Sequence, residues 1–104
     1  GDDTLNGGMG NDILNGSSGD DTLTGGSGAD IFEFTATSGN DTITDYNQGD
    51  GDILRFFRRS TDTNDAVIDE ANRQVMWQAD GHTVTIDFVT DIAASNVTIE
   101  YEWI

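Results

Sequence analysis

The chain has 104 residues, which suits one domain of ordinary size, and twenty acidic residues against four arginines give it a net charge of −16. Such a chain repels phosphate backbones and anionic lipid, which argues against binding to nucleic acid or to a membrane surface. It contains no cysteine, so disulfides and thiolate metal sites are excluded. No apolar run approaches the ~20 residues of a membrane span.

A nine-residue unit recurs through the first third of the chain. GGMGNDILN (residues 7–15), GSSGDDTLT (16–24) and GGSGADIFE (25–33) follow one another, and GDDTLN (1–6) is the end of an earlier unit. Because the chain begins inside a unit, we expect it to be part of a larger protein. Aligned as G-G-x-G-x-D-x-U-x, with U a large apolar residue, the units carry Asp3, Asp12, Asp21 and Asp30, and then Leu5, Leu14, Leu23 and Phe32.

The length of the unit predicts its structure. Nine residues are too few for a helix pair, but they suit a six-residue turn followed by a three-residue strand. Alternation along that strand directs U inward and its neighbours outward. Two units then complete one coil of a solenoid, so residues 18 positions apart stack on the same side. We therefore expect Asp3 to stack with Asp21, and Asp12 with Asp30.

The composition of the turn points to a metal ion. Glycines reach positive φ without steric cost and allow backbone carbonyls to converge. The aspartate at the sixth position adds a charged oxygen to each turn. An all-oxygen set of flexible backbone carbonyls and carboxylates favours Ca²⁺ over Mg²⁺, so we expect several calcium ions between stacked turns.

These three units resemble the RTX calcium-binding nonapeptide repeat. The resemblance implies an all-β, right-handed parallel β-roll in which each ion lies between turns one coil apart. It implies one ion shared by Gly8, Gly10 and Asp12 with Gly25, Ser27 and Asp30, and another shared by Gly1 and Asp3 with Gly16, Ser18 and Asp21. The corresponding positions Gly19, Gly26 and Gly28 are implied as further ligands. Two features depart from the family pattern: Ser17 replaces the second glycine of its unit, and the first unit is incomplete.

The pattern continues, with longer spacing, through residue 54. SGNDTITDY (38–46) and NQGDGDIL (47–54) extend the two stacks with Asp41 and Asp52. In RTX proteins the corresponding segment closes the roll, which implies Asp45 and Asp50 as additional ligands. The alternative for each aspartate is a turn residue that hydrogen-bonds its own backbone. Asp2 and Asp20 precede the ligand position, and we expect their side chains to point to solvent.

The repeat region has little apolar surface to bury. One large apolar side chain per nine residues does not offset the cost of ordering the backbone, so we expect disorder without calcium and a rigid roll with it. Extracellular modules bind calcium at about 10⁻⁴–10⁻³ M, which favours folding outside the cell. Together with this expectation, the resemblance to RTX proteins implies a calcium-binding module of a secreted, extracellular bacterial protein. It also implies that the module supports the stability and the type I secretion of a larger parent chain.

We divide the chain into the roll at residues 1–59 and a C-terminal β cap at 60–104. Alternating apolar residues after position 74 predict half-buried antiparallel strands around Trp77, Ile86 and Tyr101. ADGH (79–82) predicts one hairpin turn, and the sequence around Ala71 and Asn72 predicts another. TDIAAS (90–95) suggests one helical turn. The resemblance implies that the C-terminal segment also carries the type I secretion signal.

No arrangement of residues indicates catalysis, so we expect this chain not to be an enzyme. His82 is the only histidine, and it lies in a predicted turn without an adjacent serine or carboxylate. Glu100 and Glu102 lie on the outer face of a strand. Arg55, Arg58 and Arg59 form a basic cluster that pairs either with the chain's own acids or with an anionic glycan. The alternative function is therefore a glycan-binding or adhesion module.

Overall fold

The structure, a computed structural model, describes residues 2–35, 38–58, 65–79, 81–90, 92 and 97–103. These residues form ten strands: β1 (Thr4–Asn6), β2 (Ile13–Leu14), β3 (Thr22–Thr24), β4 (Ile31–Phe34), β5 (Asn40–Ile43), β6 (Ile53–Arg58), β7 (Val67–Asp69), β8 (Gln74–Ala79), β9 (His82–Phe88) and β10 (Ile99–Trp103). A 3-10 helix spans Gln48–Asp50. No helix in these ranges is long and apolar enough to cross a membrane.

Successive strands of the repeat region alternate between two sheets. One sheet has the order β1-β3-β5-β9-β8-β7, and the other has the order β10-β6-β4-β2. Within each sheet the repeat strands are parallel, with Leu5 beside Leu23 and Leu14 beside Phe32. The predicted coil of two units is therefore confirmed, and the architecture is a parallel β-roll.

The register of the roll survives the longer spacing that begins after residue 34. Leu23 lies beside Ile43 in one sheet, and Phe32 lies beside Leu54 in the other. The additional residues are accommodated in the turns, because moving a strand by one residue would turn its apolar side chain to solvent. The strands also lengthen, from two or three residues in β1–β3 to six in β6.

The core lies between the two sheets and is built from the inward residues of each strand. Phe56 lies at its centre: its ring centroid is 5.6 Å from that of Phe34 and 4.9 Å from that of Trp77. Phe57 is only partly buried, as alternation along β6 requires. The buried apolar set is Leu14, Leu23, Phe32, Phe34, Ile43, Tyr46, Leu54, Phe56, Val75, Trp77, Val84, Ile86, Phe88, Ile92 and Val97.

Both predicted hairpins are present. β8 and β9 are antiparallel, and the ladder reaches the pair Ala79–His82, next to Gly81 at φ +76°. β7 and β8 are also antiparallel, with Asp69 beside Gln74. His82 is exposed at the start of β9, in agreement with its interpretation as a residue of the turn.

The prediction that the final strand is antiparallel is wrong. β10 runs parallel to β6, with Ile99 beside Leu54, and β9 runs parallel to β5, with Ile43 beside Phe88. Alternation in sequence reports which face of a strand is buried but not its direction, so the pattern around Tyr101 fits either pairing. The C-terminal strands thus extend both sheets of the roll. The proposed boundary at residues 59 and 60, and most of the predicted helical turn at 90–95, lie outside the described residues.

Tyr46 joins the last turn of the roll to the C-terminal strand. Its ring is buried, and its hydroxyl donates to the carbonyl of Asp52 at 2.9 Å and accepts the N–H of Thr98 at 2.9 Å. Burial raises the pKa of this phenol. The ring also packs edge-on against Phe88, with centroids 5.5 Å apart. One side chain therefore connects β6, β9 and β10.

We expect Tyr46→Phe to destabilise the folded protein by about 1–3 kcal/mol, because it removes a buried hydroxyl with two partners while leaving the ring in place. Urea unfolding at saturating calcium measures this change in the free energy of unfolding. An unchanged midpoint would mean that the hydroxyl does not stabilise the contact between the roll and β10.

Candidate metal centre

The aspartates at the sixth position of the units stack as two ladders, as their spacing predicts. Asp21 accepts the backbone N–H of Asp3 at 2.7 Å through Oδ1, and Asp41 accepts that of Asp21 at 2.9 Å. In the other ladder, Asp30 accepts the N–H of Asp12 at 3.0 Å, and Asp52 accepts that of Asp30 at 2.8 Å. One oxygen of each carboxylate therefore connects its turn to the preceding coil.

The second carboxylate oxygen is different. The Oδ2 atoms of Asp12, Asp21, Asp30 and Asp41 are buried and have no hydrogen-bond partner among the described residues. A buried carboxylate oxygen without a donor is costly, and such groups are paired or coordinate metals. Four of them at the same position of successive turns indicate that each faces a site for a positive charge.

A backbone carbonyl faces the same place as Asp12 Oδ2, and further carbonyls lie between the same two turns. A Cβ added to Gly7 would lie 2.6 Å from Asp12 Oδ2 and 2.7 Å from the carbonyl oxygen of Gly25, so these two oxygens converge from turns one coil apart. The carbonyls of Gly8 and Gly10 point at Gly26 and Gly28 of the same later turn. The first glycine of a unit is therefore required because a methyl group there would occupy the space in front of the oxygens.

The second and fourth residues of each complete turn adopt positive φ. Gly8 and Gly10 have φ of +80° and +93°, and Gly26 and Gly28 repeat these values closely at +84° and +95°. Ser17, which departs from the family pattern, has φ +64°, so it adopts the same left-handed backbone despite its side chain. The serine therefore leaves the path of its turn unchanged.

Burial and the repulsion of negative neighbours raise the pKa of three stacked carboxylates, Asp30, Asp41 and Asp52. Burial chiefly, together with the neighbouring charges of Asp21 and Asp20, raises the pKa of Asp41 to about 7, although the hydrogen bond from the N–H of Asp21 acts in the opposite direction. Burial likewise raises the pKa of Asp30 and of Asp52, and negative neighbours add to it in both cases. These carboxylates therefore resist ionisation until a cation compensates for the burial.

A calcium ion fits these residues. Within the described ranges, no three carboxylate or imidazole side chains converge on one point. The oxygens that converge in front of Gly7 are instead one carboxylate oxygen and one carbonyl oxygen, and the carbonyls of Gly8 and Gly10 are directed to the same neighbouring turn. Such a set, all oxygen and mostly neutral, is the kind that Ca²⁺ takes.

The remaining predicted ligands differ in their contacts and in their exposure. Asp45 and Asp52 each have both oxygens engaged by backbone N–H groups, and Asp50 lies exposed in the 3-10 helix. Gly1 lies outside the described residues. The other predicted positions lie on the repeat turns. The first glycines Gly16 and Gly25 are buried, whereas Ser18 and Ser27 are exposed. The remaining predicted positions on these turns are Asp3, Gly19, Gly26 and Gly28.

Two features of the turns were not predicted. Gly7, at the first position of its unit, was not among the expected site residues.

The residue before each stacked aspartate also bridges coils: Asp2 accepts the N–H of Asp20 at 2.9 Å, and Asn11 accepts that of Ala29 at 2.8 Å. Asp2 and Asp20 are exposed as expected, but they are not free charges, because Asp20 in turn accepts the N–H of Asn40. The spacing of 18 residues between Asp2 and Asp20, and between Asn11 and Ala29, could have predicted these hydrogen bonds from the sequence.

Comparison with known proteins agrees with this geometry. Residues 1–32 match the RTX calcium-binding nonapeptide repeat in four copies. No curated protein gives a significant match. Among solved structures, the extracellular lipase LipA from Serratia marcescens is similar in fold, with a TM-score of 0.51 and 22% sequence identity over 91% of this chain. The chain spans 20% of the length of that lipase.

The stacked aspartates, the converging carbonyls and the matched repeats lead to one conclusion. Residues 1–32 of the roll consist of RTX calcium-binding nonapeptide repeats.

Proposed function

We propose that this chain is a calcium-binding module that folds when calcium binds. The observation that carries the proposal is the set of four buried Oδ2 atoms, on Asp12, Asp21, Asp30 and Asp41, without hydrogen-bond partners in the described structure. When bound, calcium supplies the positive charge that these oxygens face. The role is structural, and no catalytic step is part of it.

The oxygens that would bind calcium come from turns one coil apart. In the best-defined site, Asp12 Oδ2 and the carbonyl of Gly25 from the next coil converge in front of Gly7. The carbonyls of Gly8 and Gly10 lie close to Gly26 and Gly28 of that next coil. The family pattern adds the carbonyl of Ser27 and the carboxylate of Asp30. The equivalent ligands in the other ladder are Asp3, Asp21 and Asp41. The roles of Asp50 and Asp52 as ligands remain predictions.

Folding and binding are coupled because the site needs the stacked coils. In the unfolded chain, Asp12 and Gly25 are separated along the sequence and do not form a site. In the folded chain, their oxygens converge, and without a cation the buried carboxylates oppose folding. Calcium that binds only the folded state stabilises that state by mass action. The net charge of −16 adds a general repulsion that bound cations reduce.

We further propose that the module belongs to a larger bacterial protein, exported by a type I system, and that it folds outside the cell. Calcium is scarce in the cytosol and abundant outside, so the same coupling would keep the repeat unfolded before export. The RTX repeat and the fold shared with an extracellular lipase support this setting.

The described contacts of Arg55 favour internal ion pairs over glycan binding. Its guanidinium lies 3.5 Å from Glu33 and 3.9 Å from both Glu100 and Glu102 on the outer face of the four-stranded sheet. This arginine thus links β4, β6 and β10. The side chains of Arg58 and Arg59 lie outside the described structure, so a glycan site there stays a prediction.

Calcium titration of the metal-free protein tests the proposal directly. We expect far-UV circular dichroism to show a cooperative transition from coil to β structure, specific for calcium with magnesium as the control, because Mg²⁺ does not suit a flexible set of carbonyls. A spectrum of fully folded protein in the presence of chelator would contradict the coupling of folding to binding.

Gly7→Ala should weaken calcium binding more than Gly10→Ala. Gly7 is not among the positive-φ residues, but its methyl group would lie in front of Asp12 Oδ2 and the Gly25 carbonyl. Gly10 has φ +93°, yet a Cβ there has no heavy atom within 4 Å. We expect Gly7→Ala to raise the calcium midpoint about 10–100-fold, the range for disturbed metal surroundings. The reverse order would mean that backbone strain, and not space for the ion, explains the glycines.

The pH dependence should have opposite signs with and without calcium. The folded-state pKa of Asp41, about 7, exceeds its ordinary value of 3.8. The protonated Asp41 therefore stabilises the metal-free fold fully below pH 3.8, and this stabilisation is lost as the pH rises through 7. Lowering the pH from 8 to 5 should therefore increase metal-free β structure while raising the calcium midpoint, because binding needs the ionised carboxylate.

Asp41→Asn is the matched variant for this experiment, since its amide stays neutral at every pH. It should have more metal-free β structure than the wild type at pH 8, and its stability should depend less on pH. If the wild type and Asp41→Asn respond to pH alike by circular dichroism, Asp41 is not the group responsible.

A further inference from the structure

Residues 45–52, which we name the closing turn, form the last turn of the ladder that contains Asp12 and Asp30. The closing turn follows β5, and its Asp52 lies 22 residues after Asp30 instead of 18. Asp45 begins it. The resemblance to RTX proteins implies that Asp45 is a calcium ligand, but its contacts differ from those of the four aspartates that have a free Oδ2.

Both oxygens of Asp45 are engaged by one neighbouring turn. Oδ1 accepts the N–H of Gly25 at 2.9 Å, and Oδ2 accepts the N–H of Gly26 at 2.8 Å. We propose that Asp45 is a positioning residue for the calcium site between turns 7–12 and 25–30 and not a ligand. This inference rests on the proposed calcium-binding function.

Peptide geometry explains how Asp45 acts on that site. The carbonyl of Gly25 and the N–H of Gly26 belong to one planar, trans peptide group, so they point in opposite directions. Because the N–H of Gly26 is directed to Asp45, the carbonyl of Gly25 is directed away, to the side where Asp12 Oδ2 lies. The charged acceptor also polarises the peptide group, which makes that carbonyl oxygen a better ligand.

The preceding turns show what Asp45 replaces. Asn6 Oδ1 accepts the N–H of Gly8 at 3.0 Å, and Asn15 Oδ1 accepts that of Ser17 at 2.8 Å. In each case the asparagine that ends one unit fixes the second residue of the next turn. The corresponding residue before turn 25–30 is Thr24, whose hydroxyl bonds Thr44 instead, at 2.6 Å. The second N–H of that turn therefore obtains its acceptor from the following coil.

The closing turn is rigid enough for this task. Asp45 is followed by Tyr46, whose buried ring and doubly bonded hydroxyl fix the start of the turn. Asp52 Oδ2 accepts the N–H of Asn47 at 2.9 Å, which closes the turn on itself. The position of Asp45 therefore depends on contacts outside the calcium site.

The test compares four proteins by isothermal titration with calcium: wild type, Asp45→Asn, the double variant Thr24→Asn/Asp45→Asn, and Glu70→Gln. The last removes one exposed charge from the loop between β7 and β8, remote in sequence from every repeat turn. We expect Asp45→Asn to bind as many ions as wild type with a midpoint about tenfold higher, since a hydrogen bond to a charged group is lost. Glu70→Gln should match the wild type.

The double variant distinguishes positioning from ligation. Its Thr24→Asn change would supply the acceptor that Asn6 and Asn15 supply in the earlier turns, so the midpoint should return toward the wild-type value. The amide proton resonance of Gly26 at saturating calcium should shift in Asp45→Asn and move back in the double variant. If Asp45→Asn does not fold at any calcium concentration, recovery of folding and of the full ion count in the double variant supports the inference.

Three results would overturn it: an ion count lower by one in Asp45→Asn, a midpoint equal to that of wild type, or a double variant that recovers nothing. Absence of calcium binding by the wild type would instead remove the proposed function on which the inference rests. The two failures are therefore distinguishable in one experiment.

Discussion

The fold depends on a carboxylate that uses its two oxygens differently. In each ladder, Oδ1 accepts a backbone N–H from the preceding coil, while Oδ2 of Asp12, Asp21, Asp30 and Asp41 is buried and without a donor in the described structure. The first oxygen fixes the stacking distance and register of the coils. The second requires a cation, because the same stacking that orders the backbone also buries negative charge. Order in the roll and affinity for calcium thus have one origin.

Glycine serves two separate needs in the same turn. Gly8 and Gly10 are needed for their backbone conformation, since both have positive φ. Gly7 is needed for space, because a methyl group there would contact Asp12 Oδ2. Ser17 shows that the first need tolerates substitution: it adopts φ +64°, and its N–H is fixed by Asn15. Such tolerance is not expected at the first position, where a side chain would collide with Asp12 Oδ2 and the Gly25 carbonyl.

The sequence predicted most of the roll but less of what completes it. The nine-residue period was sufficient to place Asp12 beside Asp30 and Leu14 beside Phe32, because residues one coil apart in the sequence of a solenoid are also neighbours in space. The direction of β10 was not predictable, since alternation around Tyr101 is identical in parallel and antiparallel strands. The sequence shows that Thr24 stands where the earlier units end in asparagine. It does not show that Asp45 supplies the missing acceptor for the N–H of Gly26, because this contact depends on the register between coils after the longer spacing.

The C-terminal strands complete the sheets that the calcium-binding turns begin. β5 and β6 are repeat strands, and each would be an exposed edge without β9 and β10, which pair with them in parallel. Those pairings join residues far apart in sequence, such as Leu54 and Ile99, so they cost loop-closure entropy. The contacts of β10 offset this cost only when β6 is already ordered. Tyr46 then couples the two events, because its hydroxyl bonds both Asp52, at the end of the aspartate ladder, and Thr98, beside β10. Ordering of the turns and docking of the final strand are therefore expected to be one cooperative transition, in which neither the repeats nor the C-terminal strands are stable alone.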